Sequence, residues 1–152
     1  MTKVNNVRLQ QLEFGTESIV FQIINDDTVL KNTFGGGRNT LSRVANSDYT
    51  ALIKVGKKTV GFVMLVHNDI TDKYEVDIGI TKEHRGKGYG SKALEKLKLI
   101  IQNCNLDVKV QTRNINESAI KIILKNGFVL CDRDEEFSYY TLPIEDSQKQ
   151  KR

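Results

Sequence analysis

The chain has 152 residues, 39% apolar and 28% charged, which suits one globular domain and excludes wholesale disorder. Its longest apolar run, residues 60–66, is far short of the roughly 20 that a membrane helix needs, and the first residues carry no apolar signal core, so a cytoplasmic setting without a membrane partner is expected. The net charge of +4 comes partly from the tail QKQKR, and there is neither an aromatic-interleaved basic strand nor a DNA-reading helix, so no nucleic-acid partner is expected.

The alternation in NVRLQQLE predicts an N-terminal strand. Residues 15–46 are less legible. ESIVFQIINDDTVLKN suits one or two helical turns, and GGGRNT reads as a connector rather than an anion site built on Gly35, Gly36, Gly37 and Arg38. From Tyr49 the pattern sharpens. ALIKV and TVGFVMLV, split by GKK, predict a hairpin; HNDITDK is a polar loop and YEVDIGI a further strand. A helix follows near Ser91, with Ala93, Leu94, Leu97, Ile100 and Ile101 on one face and Lys92, Glu95, Lys96 and Lys98 largely opposite.

DVKVQT alternates as a strand. Asn116 is placed to cap a short helix, ESAIKIILKN, that ends at Gly127. FVLCD and FSYYTLPI complete the strands, and the chain from Glu145 reads as frayed. The expected fold class is α/β (α+β): a single mixed, mostly antiparallel sheet flanked by helices, with one domain over residues 1–145 and a basic tail over 146–152. Cys104 and Cys131, without a second CxxC member and with only His67 and His84 to add, predict small apolar fillers and no metal site.

HRGKGYG, residues 84–90, is the stretch with chemical content. A strand entering a glycine loop and then a helix is a generic anion site, because the first helical N–H groups lack internal partners and the dipole is positive there. Arg85 and Lys87 add charge; the plain alternative is a tight turn. Spacing excludes a Walker loop, and G-x-G-x-G followed by Ser91 is not the dinucleotide fingerprint.

VDIGITKEHRGKGYGSKAL resembles the signature of the GNAT acyltransferase superfamily, with Arg85, Gly88 and Gly90 at its three fixed positions. NESAIKIILKNGF resembles that family's later block through Asn116, Gly127 and Phe128, and the two blocks stand in the expected order. The resemblance implies an acyl-CoA N-acyltransferase-like fold and acetyl-CoA as cosubstrate. Main-chain amides over Arg85, Gly86, Lys87, Gly88, Tyr89 and Gly90, extended by the helix from Ser91, would hold the pyrophosphate. The strand edge including Ile78, Gly79 and Ile80 would pair with the pantetheine arm, beside a following strand that splays away. Asn116 would reach the pantetheine or serve only as a cap. The implied reaction acetylates a primary amine, a small amine or a peptide N-terminus, in a monomer or homodimer. A non-catalytic CoA-binding module is the alternative.

Acetyl transfer needs a neutral amine, an oxyanion donor and a proton for the thiolate. Glu75 and Asp77 share one strand face and are the candidate bases, unless a bulge of the kind this family often carries changes their facing. The expected donor is a main-chain N–H near Ile78. The usual acid Tyr falls at Ile123, and Tyr139 or Tyr140 would be substitutes. The missing Tyr, and a loose likeness in the N-terminal residues, resemble the branch of ribosomal-protein N-terminal acetyltransferases.

Overall fold

The fold was analysed in a computed structural model, which describes residues 6–12 and 47–143. The helical turns and glycine connector expected within residues 15–46, and the frayed tail, lie outside the described residues.

Seven strands form one sheet in the order β1-β2-β3-β4-β5-β7-β6. They are β1 (Val7–Gln11), β2 (Tyr49–Val55), β3 (Lys58–Asn68), β4 (Lys73–Ile80), β5 (Val108–Arg113), β6 (Val129–Arg133) and β7 (Phe137–Thr141). Two α-helices are described, α1 (Tyr89–Asn103) and α2 (Glu117–Lys125). β2 and β3 pair as the expected hairpin, turned by Gly56 at φ 60. β3 runs two residues further than its apolar core suggests, because His67 and Asn68 pair with Tyr74 and Lys73; the polar loop shrinks to residues 69–72.

Every contact between neighbouring strands is antiparallel except β4–β5, and that parallel pair is brief: Tyr74↔Val108 and Glu75↔Lys109. Beyond it β4 and β5 part. The pairing of β3 with β4 runs without a shift from Asn68↔Lys73 to Gly61↔Ile80. β4 therefore carries no bulge against β3, and its side chains alternate regularly.

One sheet face carries the core. Ala51, Ile53, Val63, Leu65, Val76, Ile78, Val108, Val110 and Tyr140 pack with Ala93, Leu94, Leu97 and Ile101 of α1 and Ile123 of α2. The helical spacing of these α1 residues gives one apolar stripe, and each fully buried Leu contributes roughly 1.5–3 kcal/mol. Phe62 and Met64, on the other face, are also buried.

The cysteines depart from expectation: both are exposed and neither is in a disulfide. Cys104 ends α1 as its C-cap, and Cys131 lies on β6, an edge strand whose five residues are all exposed. Sequence position at a helix end or sheet edge, rather than the apolar nature of the thiol, decides their burial.

Candidate functional site

β4 ends at Ile80 and the chain bends through a short 3-10 turn, Lys82–His84, into the glycine loop. Thr81 anchors the bend: its amide donates to the Val60 carbonyl (2.9 Å), and its hydroxyl shares a 2.6 Å hydrogen bond with His84 Nδ1. Arg85 Nε donates to the Ile80 carbonyl (3.0 Å), which ties the loop to the strand end. Gly86 and Gly88 have φ values of 74 and 83, left-handed conformations that other L-residues adopt at a cost. Gly88 is the N-cap of α1 and supplies no side-chain cap. The first amides of α1, which begins at Tyr89 rather than near Ser91, are thus left for something else.

Gly90 differs from the other two. It lies inside α1, and a Cβ there would meet Ile122 Cδ1 at 3.5 Å and Ile80 Cγ1 at 3.6 Å, which is ordinary contact.

α2 forms the opposite wall. Asn116 caps it, accepting from the Ala119 amide (3.3 Å) and the Ser118 hydroxyl (3.3 Å). Asn126, at its other end, donates to Ser91 Oγ and the Ser91 carbonyl, both at 3.4 Å. Lys98 Nζ in turn donates to the Asn126 carbonyl (3.0 Å), so the start of α1 and the end of α2 are bound together.

Between these walls lies a cleft of about 390 Å³. It is lined by Ile78 and Ile80 of β4, by Arg85, Gly86, Gly88, Tyr89, Gly90 and Ser91, and by Asn116. Gly79 and Lys87, also expected in the site, are not among its lining residues. His84, Ser118, Ala119, Lys121 and Ile122 do line it and were missed in the sequence. The signal for the α2 residues was available, since Asn116, Ala119 and Ile122–Ile123 recur at helical spacing from the cap. His84 gave none, because its inward position depends on the Thr81 hydrogen bond.

A second, polar cavity of about 470 Å³ shares Gly88 and Ser91 with the cleft and adds Lys92, Lys98 and Lys125. Lys92 is engaged by Glu95 at 2.9 Å, and this hydrogen bond holds the Glu95 carboxyl below its usual range.

The strand edge beside the cleft is set by parity. The Tyr74 amide donates to the Asp107 carbonyl on the β5 side (2.8 Å), so the N–H groups of Val76, Ile78 and Ile80 point the same way. The Val76 amide closes the Glu75↔Lys109 pair on the Lys109 carbonyl, whereas Ile78 and Ile80 lie beyond it with no β5 partner in the sheet register.

Glu75 and Asp77 lie on the other face of β4, away from Ile78 and Ile80. Asp77 is buried at 4% exposure, whereas Glu75 is half-buried and accepts from Asn68 Nδ2 at 3.2 Å. Ile123 is fully buried in the core. Tyr140 is buried beside it in the same cluster, and Tyr139 donates to Asp134 Oδ2 (3.1 Å) under Lys109. Neither tyrosine lines the cleft. Among the described residues no group of His, Cys, Asp and Glu is placed to hold a metal ion.

A parallel strand pair thus opens beside a glycine loop and a helix N-terminus without a side-chain cap, within a mixed α/β sheet. This chain belongs to the acetyltransferase (GNAT) family, whose model matches residues 16–128. No curated protein matches it. Among solved structures, a Bacillus subtilis acetyltransferase in complex with CoA is similar at TM-score 0.72 and 12% identity, covering 91% of this chain and 99% of the other. Spermidine N-acetyltransferase from Vibrio cholerae, in complex with CoA and spermine, is similar at TM-score 0.71 and 19% identity, over 91% and 95% of the two chains. An acetyltransferase from Agrobacterium tumefaciens is similar at TM-score 0.74 and 16% identity, over 93% of each. At such identities the likeness is one of fold.

Proposed function

We propose that this protein transfers the acetyl group of acetyl-CoA to a primary amine, by direct attack while both substrates are bound. The observation that carries this reading is the opening between β4 and β5 at the foot of the glycine loop.

The residues fit the cosubstrate. Amides over Arg85–Gly90 and the start of α1 suit a pyrophosphate, because positive-φ glycines bring backbone close and the helix dipole favours negative charge. Lys92, Lys98 and Lys125 in the adjoining cavity suit the phosphate on the adenosine end. The alternate amides of Ile78 and Ile80 face the side where a pantetheine arm would pair as an added strand. Asn116, which borders the cleft while capping α2, suits a contact with the pantetheine or its thioester end.

When bound, acetyl-CoA supplies an activated thioester; the chain's residues place it and manage protons. The N–H of Ile78 points into the opening and is suited to receive the charge that develops on the thioester oxygen. Glu75 and Asp77, on the face opposite the cleft, are the candidate bases. A free alkyl amine has a pKa of roughly 10.4, and a carboxylate beside its entry route can take its proton directly or through water. No acid side chain stands at the position of Ile123, and water can protonate the departing thiolate.

The test is a thiol-release assay with acetyl-CoA and a panel of amines and N-terminal peptides, beside calorimetry with CoA. Release above background hydrolysis supports the reading and names the acceptor. Tight CoA binding without release across the panel would favour a CoA-binding module. No CoA binding by the folded protein would overturn the reading.

A further inference from the structure

We infer that the acceptor carries a carboxylate several bonds from its amine, and that Arg113 binds it. This rests on the proposed acetyl transfer and specifies its second substrate.

Arg113 is the last residue of β5. Val108 and Val110 face the core, so Lys109, Gln111 and Arg113 face the other side of the sheet. The parallel register Glu75↔Lys109 puts that side in line with Glu75 and Asp77. The face at the opening thus bears two carboxylates on β4 and a guanidinium at the far end of β5. The two strands part beyond that pair, and Arg113, four residues past Lys109, lies about 13 Å along β5 from it at the usual strand rise.

The guanidinium is the unusual group there. Arg113 Nε is shut off from solvent and has no hydrogen-bond partner among the described residues. The other described arginines are engaged: Arg8 with the Gly56 carbonyl, Arg85 with Ile80 and Arg133 with the Ser138 hydroxyl. Among the other cations on this face, Lys109 is over the Tyr139 ring at 4.8 Å, and Lys73 lies on β4 two residues before Glu75. Arg113 as a whole is half-buried, so part of the side chain stays open to an anion while Nε is left unpaired, and an anion would offset the cost of holding the charge there. A guanidinium fork suits a carboxylate in two-point contact.

An acceptor entering on this face meets carboxylates first where its ammonium must lose a proton, and a guanidinium further along. That order fits an amine bearing a carboxylate several bonds away, as in a short peptide, and disfavours a polyamine, whose second cation would meet Arg113.

The experiment is calorimetry on the CoA-loaded protein with glycylglycine, glycylglycinamide and spermidine, repeated on Arg113→Gln and Arg113→Lys. Circular dichroism confirms that each variant is folded. Glycylglycine is expected to bind at least tenfold more tightly than its amide or spermidine. Arg113→Gln should cut that preference to within about threefold, Arg113→Lys should restore part of it, and CoA affinity should stay within about twofold. Equal binding of the three ligands, tighter spermidine binding, no glycylglycine binding, or a preference that survives Arg113→Gln would overturn the inference while leaving CoA binding intact. Loss of CoA binding by the wild-type protein would instead bring down the proposed function.

Discussion

At the scale of single residues, the three glycines of the loop are not equivalent. Gly88 holds φ 83 at the mouth of α1, where any other L-residue costs roughly 1–2 kcal/mol and places a side chain at the exposed amides. Gly88→Ala is expected to lower stability by that amount and CoA affinity by at least tenfold, read by urea unfolding and calorimetry. Gly90 is helical with room for a methyl, so Gly90→Ala should raise stability by roughly 0.5–1 kcal/mol. Equal effects of the two changes would mean that backbone conformation does not distinguish them. Ile123 poses the complementary case. It is fully buried, so Ile123→Tyr would overfill the core and cost about 1–3 kcal/mol without delivering a phenol to the cleft. A variant that turned over faster with undiminished stability would refute that placement.

At the scale of elements, the end of β3 holds a pH-sensitive clamp. His67 Nδ1 lies 3.0 Å from Asp69 and Nε2 lies 2.9 Å from Asp72, across the turn into β4. Both carboxylates are satisfied only when both ring nitrogens carry protons, and these bonds, Asp72 first, raise the His67 pKa above its ordinary 6.5. A raised pKa gives stability that is fully present below about pH 6.5 and lost as pH rises through the folded-state value. The melting temperature of the wild type should therefore fall more from pH 6 to 8 than that of His67→Gln; parallel profiles would remove the clamp from the account. Legibility in the sequence follows the same scale. Strands and helices whose apolar residues keep one period, such as Ala93, Leu94, Leu97 and Ile101, were readable because one interaction fixes both the element and its facing. The glycine loop was readable because its conformation is demanded locally. His84, Arg113 and the exposure of Cys104 and Cys131 were not, because each depends on which strand or helix end lies nearby in space. The facing of Glu75 and Asp77 needed the unshifted β3–β4 register, which no single strand encodes.

At the scale of the whole molecule, the sheet consists of two sections, β1–β4 and β5–β7–β6, joined by only two residue pairs. α1 packs across β1, β3 and β4, and α2 contacts α1, so the helices close the gap on one face while the opening is left between the strands. A ligand lodged along the free edge of β4, with its anionic end on the start of α1 and Asn116 at its side, would bridge both sections. Binding only to the folded state stabilises by about 2.7 kcal/mol at a ligand concentration 100 times its Kd. At roughly 2–4 °C per kcal/mol for a chain of this size, saturating CoA should raise the melting temperature by about 5–11 °C. The gain should be accompanied by slower hydrogen exchange at Ile78 and Ile80, whose amides face the opening. Gly88→Trp blocks the anion end and should abolish both effects while the apo protein still melts cooperatively. Protection confined to the loop, with unchanged exchange along β4, would mean that the anionic end binds but that no arm pairs with the strand.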